Sequence, residues 1–179
     1  NTASGFYALR GNTTASYNTA FGACTLYANT TGANNTATGY LALTTNTCGD
    51  NNTAVGRGSM QATTTGSDNT ATGYLALYSQ STGTKNTAIG VRAMQSNTTA
   101  SYNTAVGTCA LFANTTGAWN TATGHKVLLA NTTGATNTAS GYFAMSSNTT
   151  GNNNTGTGGG SLQYNTTGSC NTATGFRAL

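Results

Sequence analysis

Apolar residues return along this chain at one fixed interval. Leu or Met stands at Leu9, Leu26, Leu43, Met60, Leu77, Met94, Leu111, Leu128, Met145, Leu162 and Leu179, seventeen residues apart each time. A small residue precedes most of them, as at Ala42, Ser59 and Ala76. The polar positions keep the same step. Asn-Thr-Ala-x-Gly begins at Asn1, Asn18, Asn35, Asn52, Asn69, Asn86, Asn103, Asn120, Asn137, Asn154 and Asn171, with Gly156 the single exception at the Ala position. The shared unit is Asn-Thr-Ala-x-Gly-x-x-Ala-Leu-x-x-Asn-Thr-Thr-Gly-x-x; its positions are called places 1 to 17 and its copies coils 1 to 11.

Self-similarity at a short fixed period predicts stacked units, each burying its few apolar groups against its neighbours. A helix pair does not fit into seventeen residues, Gly recurs twice per unit, and Thr and Asn dominate where a helix favours Ala, Glu, Lys and Leu. The pattern therefore predicts an all-β fold: a parallel β-solenoid (β-roll) of 17-residue coils, about ten and a half of them, as a single repeat domain over residues 1–179. Strands are expected at Thr-Ala-x and at x-Ala-Leu-x, with turns at the Gly5-type and Gly32-type glycines where φ is positive. At ~4.8 Å per coil the solenoid is roughly 50 Å long. Pro is absent, so every rung keeps its backbone donor. Both chain ends fall inside a repeat, and the expectation is a fragment, or a stacking subunit, of a longer fibre.

The Leu and Met residues of place 9 form the expected core ladder, facing the Ala ladder of place 3. Asn at places 1 and 12 is expected to form stacked amide ladders, and the invariant Thr of place 2 a hydroxyl ladder. Charged residues are confined to places 6, 7, 10, 16 and 17, which must be the outside. Asp68 and Lys85 share place 17 on consecutive coils and are expected to stack as an exposed ion pair. Rings occupy the same outer places, and Tyr17, Tyr27, Tyr40, Tyr74, Tyr78, Tyr102, Phe112, Trp119 and Tyr142 are candidate contacts for another chain or a sugar.

Composition narrows the chemistry. Charged residues are 4% of the chain against a usual share of about a quarter. The net charge of +4 is spread too thinly to follow a phosphate backbone, so no nucleic-acid partner is expected. No apolar run reaches the roughly 18 residues of a membrane span, so no membrane insertion is expected either. One His, two Asp and no Glu leave little for catalysis. His125 lies on coil 8, while Asp50 and Asp68 lie on coils 3 and 4, ~20 Å or so away along the stack. Neither an enzyme nor a cofactor is expected. Cys24, Cys48, Cys109 and Cys170 lack metal-ligand spacing; Cys48, replacing a Thr at place 14, is expected to be buried. Asn-x-Thr sequons make Asn12, Asn29, Asn34, Asn51, Asn97, Asn114, Asn131, Asn148, Asn153 and Asn165 candidate glycosylation sites. An inward amide ladder at place 12 would exclude the sugars there.

With Ala54-Val55-Gly56 and Ala88-Ile89-Gly90 followed by a small-apolar pair, the units resemble the head repeats of trimeric autotransporter (YadA-like) adhesins and the repeats of phage and viral tail fibres. The resemblance covers the whole chain. It implies a left-handed parallel β-roll, often trimeric, displayed on a cell or virion surface. The unit is seventeen residues where those heads use about fourteen, and place 4 shows no uniform apolar seam. The expectation is a structural or adhesive extracellular fibre element whose partners are copies of itself, end to end or as a trimer, and surface glycans. A trimeric receptor- or glycan-binding adhesin or tail-fibre shaft is the first alternative. Ice binding through a flat Thr array is the second.

Overall fold

The computed structural model describes residues 1–179. Each coil supplies one three-residue strand at places 2–4, from β1 (Thr2–Ser4) to β11 (Thr172–Thr174), and there is no helix. The strands form a single parallel sheet in chain order. They pair place against place, Thr36 opposite Thr53, Ala37 opposite Ala54 and Thr38 opposite Val55. The chain is thus a parallel β-solenoid of 17-residue coils. Because successive strand residues point to opposite faces, the Ala of place 3 turns inward and its two neighbours turn outward, as in Thr36–Thr38. The Ala ladder packs on the Leu and Met ladder of place 9, fully buried from Leu26 to Met145. Leu179, with no coil stacked beyond it, is 79% exposed.

The second expected strand, x-Ala-Leu-x, is a turn. Its places 7 and 9 have left-handed backbones, as at Leu41 (φ 61°) and Leu43 (φ 49°). Such a conformation costs an L-residue about 1–2 kcal/mol, and it is retained because it keeps the rungs connected. The Leu41 N–H donates back to the Ala23 carbonyl at 3.1 Å, and the Leu43 N–H donates forward to the Ser59 carbonyl at 3.1 Å. Burial of the Leu side chain adds about 1.5–3 kcal/mol against the strain. A third left-handed place, 17, also donates to the preceding coil, as Asn51 does to the Ala33 carbonyl at 3.0 Å.

Glycine has two roles. At place 5 it is required: φ lies far in the positive region, at 136° for Gly90, and a Cβ there would stand 2.5 Å from the Gly107 carbonyl oxygen. The Gly32-type place 15 is not left-handed, contrary to expectation, and Ala15 and Ala100 occupy it. Smallness is what matters there, because the next coil's backbone and the Asn amides crowd the position.

Two amides close every complete coil but coil 4, which has Thr63 at place 12 and only the Asn52 amide on its Gly66 carbonyl. The Asn35 Nδ2 donates to the Gly49 carbonyl at 2.8 Å, fourteen residues ahead in the same coil. Its Oδ1 accepts the backbone N–H of Asn52, the first residue of the next coil, at 2.9 Å. Place 12 adds a second donor to the same carbonyl, Asn46 Nδ2 to Gly49 at 3.0 Å. Place 12 also stacks amide on amide, as in Asn131 to Asn114 at 2.9 Å and Asn148 to Asn131 at 2.8 Å. The hydroxyl ladder is at place 13: Thr98 Oγ1 donates to the Thr115 carbonyl at 3.1 Å and Thr115 Oγ1 to the Thr132 carbonyl at 3.1 Å. The Thr of place 2, assigned that role from sequence, instead faces outward.

The place-12 ladder has one break. Thr63 stands where an amide belongs, and both its Oγ1 and the Asn46 Oδ1 below it are buried without a partner. Gln80 mends the next step, its Oε1 accepting from Asn97 Nδ2 at 3.1 Å. Thr63→Asn should satisfy the Asn46 oxygen and raise stability by about 1–2 kcal/mol. A urea midpoint that stays or falls would show that the ladder does not stabilise the coil.

Candidate functional site

Three strips of surface run along the solenoid. The first is the outer face of the sheet. Place 2 supplies Thr from every coil, and place 4 adds Thr38, Thr72, Thr123, Thr157 and Thr174 among Ser4, Phe21, Val55, Ile89, Val106 and Ser140. No charged residue lies on this face, and its Thr hydroxyls have no partner within the chain, unlike those of place 13. The invariance of place 2 therefore has no explanation in internal hydrogen bonding.

The second strip is the corner formed by places 14, 16 and 17. Place 16 carries acceptors for the preceding coil: Asp50 Oδ1 takes the Ala33 N–H at 2.7 Å and Ser101 Oγ takes the Thr84 N–H at 2.9 Å. Asp50 is thus engaged by the backbone. The expected Asp68–Lys85 ion pair is replaced by separate partners. Asn51 Nδ2 donates to Asp68 Oδ1 at 3.1 Å, and Lys85 Nζ lies 5.2 Å from the Tyr102 ring. An exposed pair gains little in water, and these nearer partners compete with it. Cys48 is exposed, because place 14 faces solvent; Cys170 is exposed too, and Cys24 and Cys109 are half-buried. Tyr17, Tyr102 and Trp119 are exposed on this corner, the last two stacked at 5.7 Å.

Of the candidate glycosylation sites, the buried place-12 residues are corrected by the fold. Asn29, Asn97, Asn114, Asn131 and Asn148 are fully buried. Asn12 and Asn165, at the ends of that ladder, spend their Nδ2 on Ala15 and Gly168 carbonyls. A glycosylated Nδ2 keeps one hydrogen, so Asn165, which also donates to Asn148 Oδ1 at 3.0 Å, would lose a bond, whereas Asn12 would keep its single one. Asn34, Asn51 and Asn153, at place 17, are exposed.

The third strip is the turn, with places 6, 7 and 10. Tyr40, Tyr74 and Tyr142 stand exposed at place 6, while Tyr27, Tyr78 and Phe112 are half-buried at place 10. His125 stacks on Tyr142 with centroids 5.5 Å apart and planes 9° apart. It stacks there as an aromatic layer, and neither Asp comes near it. No group of three or more His, Cys, Asp or Glu gathers anywhere in the fold.

Two clefts open in this strip. One, of about 420 Å³, lies at coil 4 beside Arg57, Gly58 and Gln61, walled by Leu41 and by Tyr74, Leu75 and Tyr78. The other, of about 290 Å³, lies at coil 10 over Gly159, Gly160 and Gln163, walled by Tyr142 and Phe143 on one side and by Phe176 and Arg177 on the other. Both follow from one local sequence, Gly-x-Gly-Ser-(Met/Leu)-Gln at Gly56–Gln61 and Gly158–Gln163. Gly58 and Gly160 are the only glycines at the left-handed place 7, and each removes a side chain from the ridge. That duplicated hexapeptide was visible in the sequence. Its meaning was not, because the walls come from residues about seventeen positions away on either side.

Fold and surface together define a β-solenoid with a uniform interior and three different outer strips. No protein-family description, curated protein or solved structure matches the chain.

Proposed function

We propose that the chain is a structural, non-catalytic fibre element of a cell or virion surface, built to be stiff and to present its outer strips in regular rows. The observation that supports this most is the connection between coils. Donors from places 2, 5, 7, 9, 11 and 17 all reach neighbouring coils, so hydrogen bonding surrounds the coil rather than stopping at the sheet. Each coil offers its neighbours the same groups, and the contact that joins coil to coil would equally join copy to copy. Such a head-to-tail contact grows into a filament. The resemblance to adhesin heads and tail-fibre repeats agrees with a surface location, and the exposed rings give lateral or glycan contacts. Electron microscopy of the native material should show long uniform filaments with a layer line near ~4.8 Å. Short discrete particles with a threefold axis would reject end-to-end stacking and favour a trimeric adhesin.

The sheet face separately favours ice binding. Its uncharged Thr hydroxyls repeat at ~4.8 Å across the strands and roughly 6.6 Å along them, approximating the oxygens of an ice plane. This role predicts measurable thermal hysteresis that Thr87→Lys, in the middle of the face, reduces. Freezing without hysteresis removes it.

A further inference from the structure

From coil 8 to coil 11 the rings of place 6 form a stack with one layer missing. His125 on coil 8 lies on Tyr142 of coil 9, coil 10 has Gly159 at that place, and coil 11 resumes with Phe176. The walls are therefore two rungs apart, ~9.6 Å at the backbone, which accommodates one ring-sized group in contact with both. At coil 4 the place-6 slot is filled, and the cleft there opens beside it, at Gly58. The flanking rings are Tyr40 and Tyr74, and the Arg57 guanidinium sits between them, 6.0 Å and 5.6 Å from their centroids.

We infer that the coil-10 cleft binds a pyranose ring bearing a carboxylate, a hexuronate unit of a polysaccharide. Tyr142 and Phe176 offer the two apolar faces that a sugar's C–H surfaces cover. His125 holds Tyr142 from behind, so that wall is set before a ligand arrives. Gly159 and Gly160 leave the floor bare. The Gln163 backbone is bonded within the fold, to the Gly160 carbonyl and from the Ser147 N–H, but its side-chain amide makes no hydrogen bond within the chain and is available to sugar hydroxyls. Arg177 is the only charged group in the lining, and its guanidinium stands 5.3 Å from the Phe176 ring. With no acid beside it, the cleft selects for a carboxylate and against the arginine that fills the equivalent space at coil 4.

Calorimetric titration of the full chain with trigalacturonate, and with maltotriose as the neutral comparison, tests this. The uronate should bind at least tenfold more tightly. Gly159→Tyr, which supplies the ring found at place 6 in Tyr40 and Tyr74, should weaken uronate binding at least tenfold. A Cβ at Gly159 meets the Phe176 ring at 3.4 Å and 3.7 Å and the Tyr142 carbonyl oxygen at 3.8 Å, all ordinary contacts, and the backbone there is not left-handed, so the variant should keep its unfolding midpoint. Arg177→Gln should bring uronate affinity down to that for maltotriose. Absence of uronate binding at millimolar concentration, equal affinity for the neutral sugar, or full binding by a folded Gly159→Tyr variant would each overturn the assignment. The outcome is separate from filament assembly, since a lone chain contains both walls of the cleft.

Discussion

Everything in this fold depends on one amide, the Asn at place 1. A coil of seventeen residues holds a single three-residue strand, too short to fix its own path. The Asn side chain fixes it from two directions. Its Nδ2 ties the start of the coil to the carbonyl near its end, and its Oδ1 takes the first backbone N–H of the coil that follows. An aliphatic residue of the same size would leave the next coil's buried N–H unpaired, at a cost of about 1–3 kcal/mol, and would leave the carbonyl to its place-12 donor alone. Because the loss would recur in every coil, the Asn is as fixed as the Leu ladder beneath it.

The same economy explains the turn. Left-handed Leu, Met, Arg and Tyr residues are costly singly, yet they occur in every coil because each directs an N–H to an adjacent rung. Strain, burial and rung bonding are repeated together, and the stack behaves as a sum of nearly equal nearest-neighbour terms. Places that serve this scaffold hardly vary. Places 4, 6, 7, 10, 16 and 17 are free of most of it, and charges, rings and clefts collect there.

Much of this was legible in the sequence. The seventeen-residue step announced a β-solenoid, the ladder of Leu9, Leu26 and Leu43 marked the core, and the recurrent Asn pointed to buried amides. The x-Ala-Leu-x segment misled because a short apolar pair such as Ala42-Leu43 reads alike in a strand and in a turn of alternating handedness. Hydrogen bonds to other coils, which a local pattern does not contain, decide between them. Thr of places 2 and 13 is nearly equally invariant, and only the third dimension separates an outward hydroxyl from one bonded to the next rung. Asp68 and Lys85 share a place but find nearer partners in Asn51 and Tyr102. The cleft at Gly159 was hidden for a related reason: a missing side chain becomes a site only when Tyr142 and Phe176 are known to stand on either side.

The most direct test of a ladder that encircles the coil is residue-resolved amide hydrogen exchange on the native chain. Place-1 amides such as Asn69, which donate to an Asn Oδ1, and turn amides such as Met94 should be protected to the same degree as the strand amides of Ala88 and Ile89. Rapid exchange at Asn69 and Met94, with protection confined to the strands, would contradict the account. The coil would then be held by its short sheet and apolar core alone.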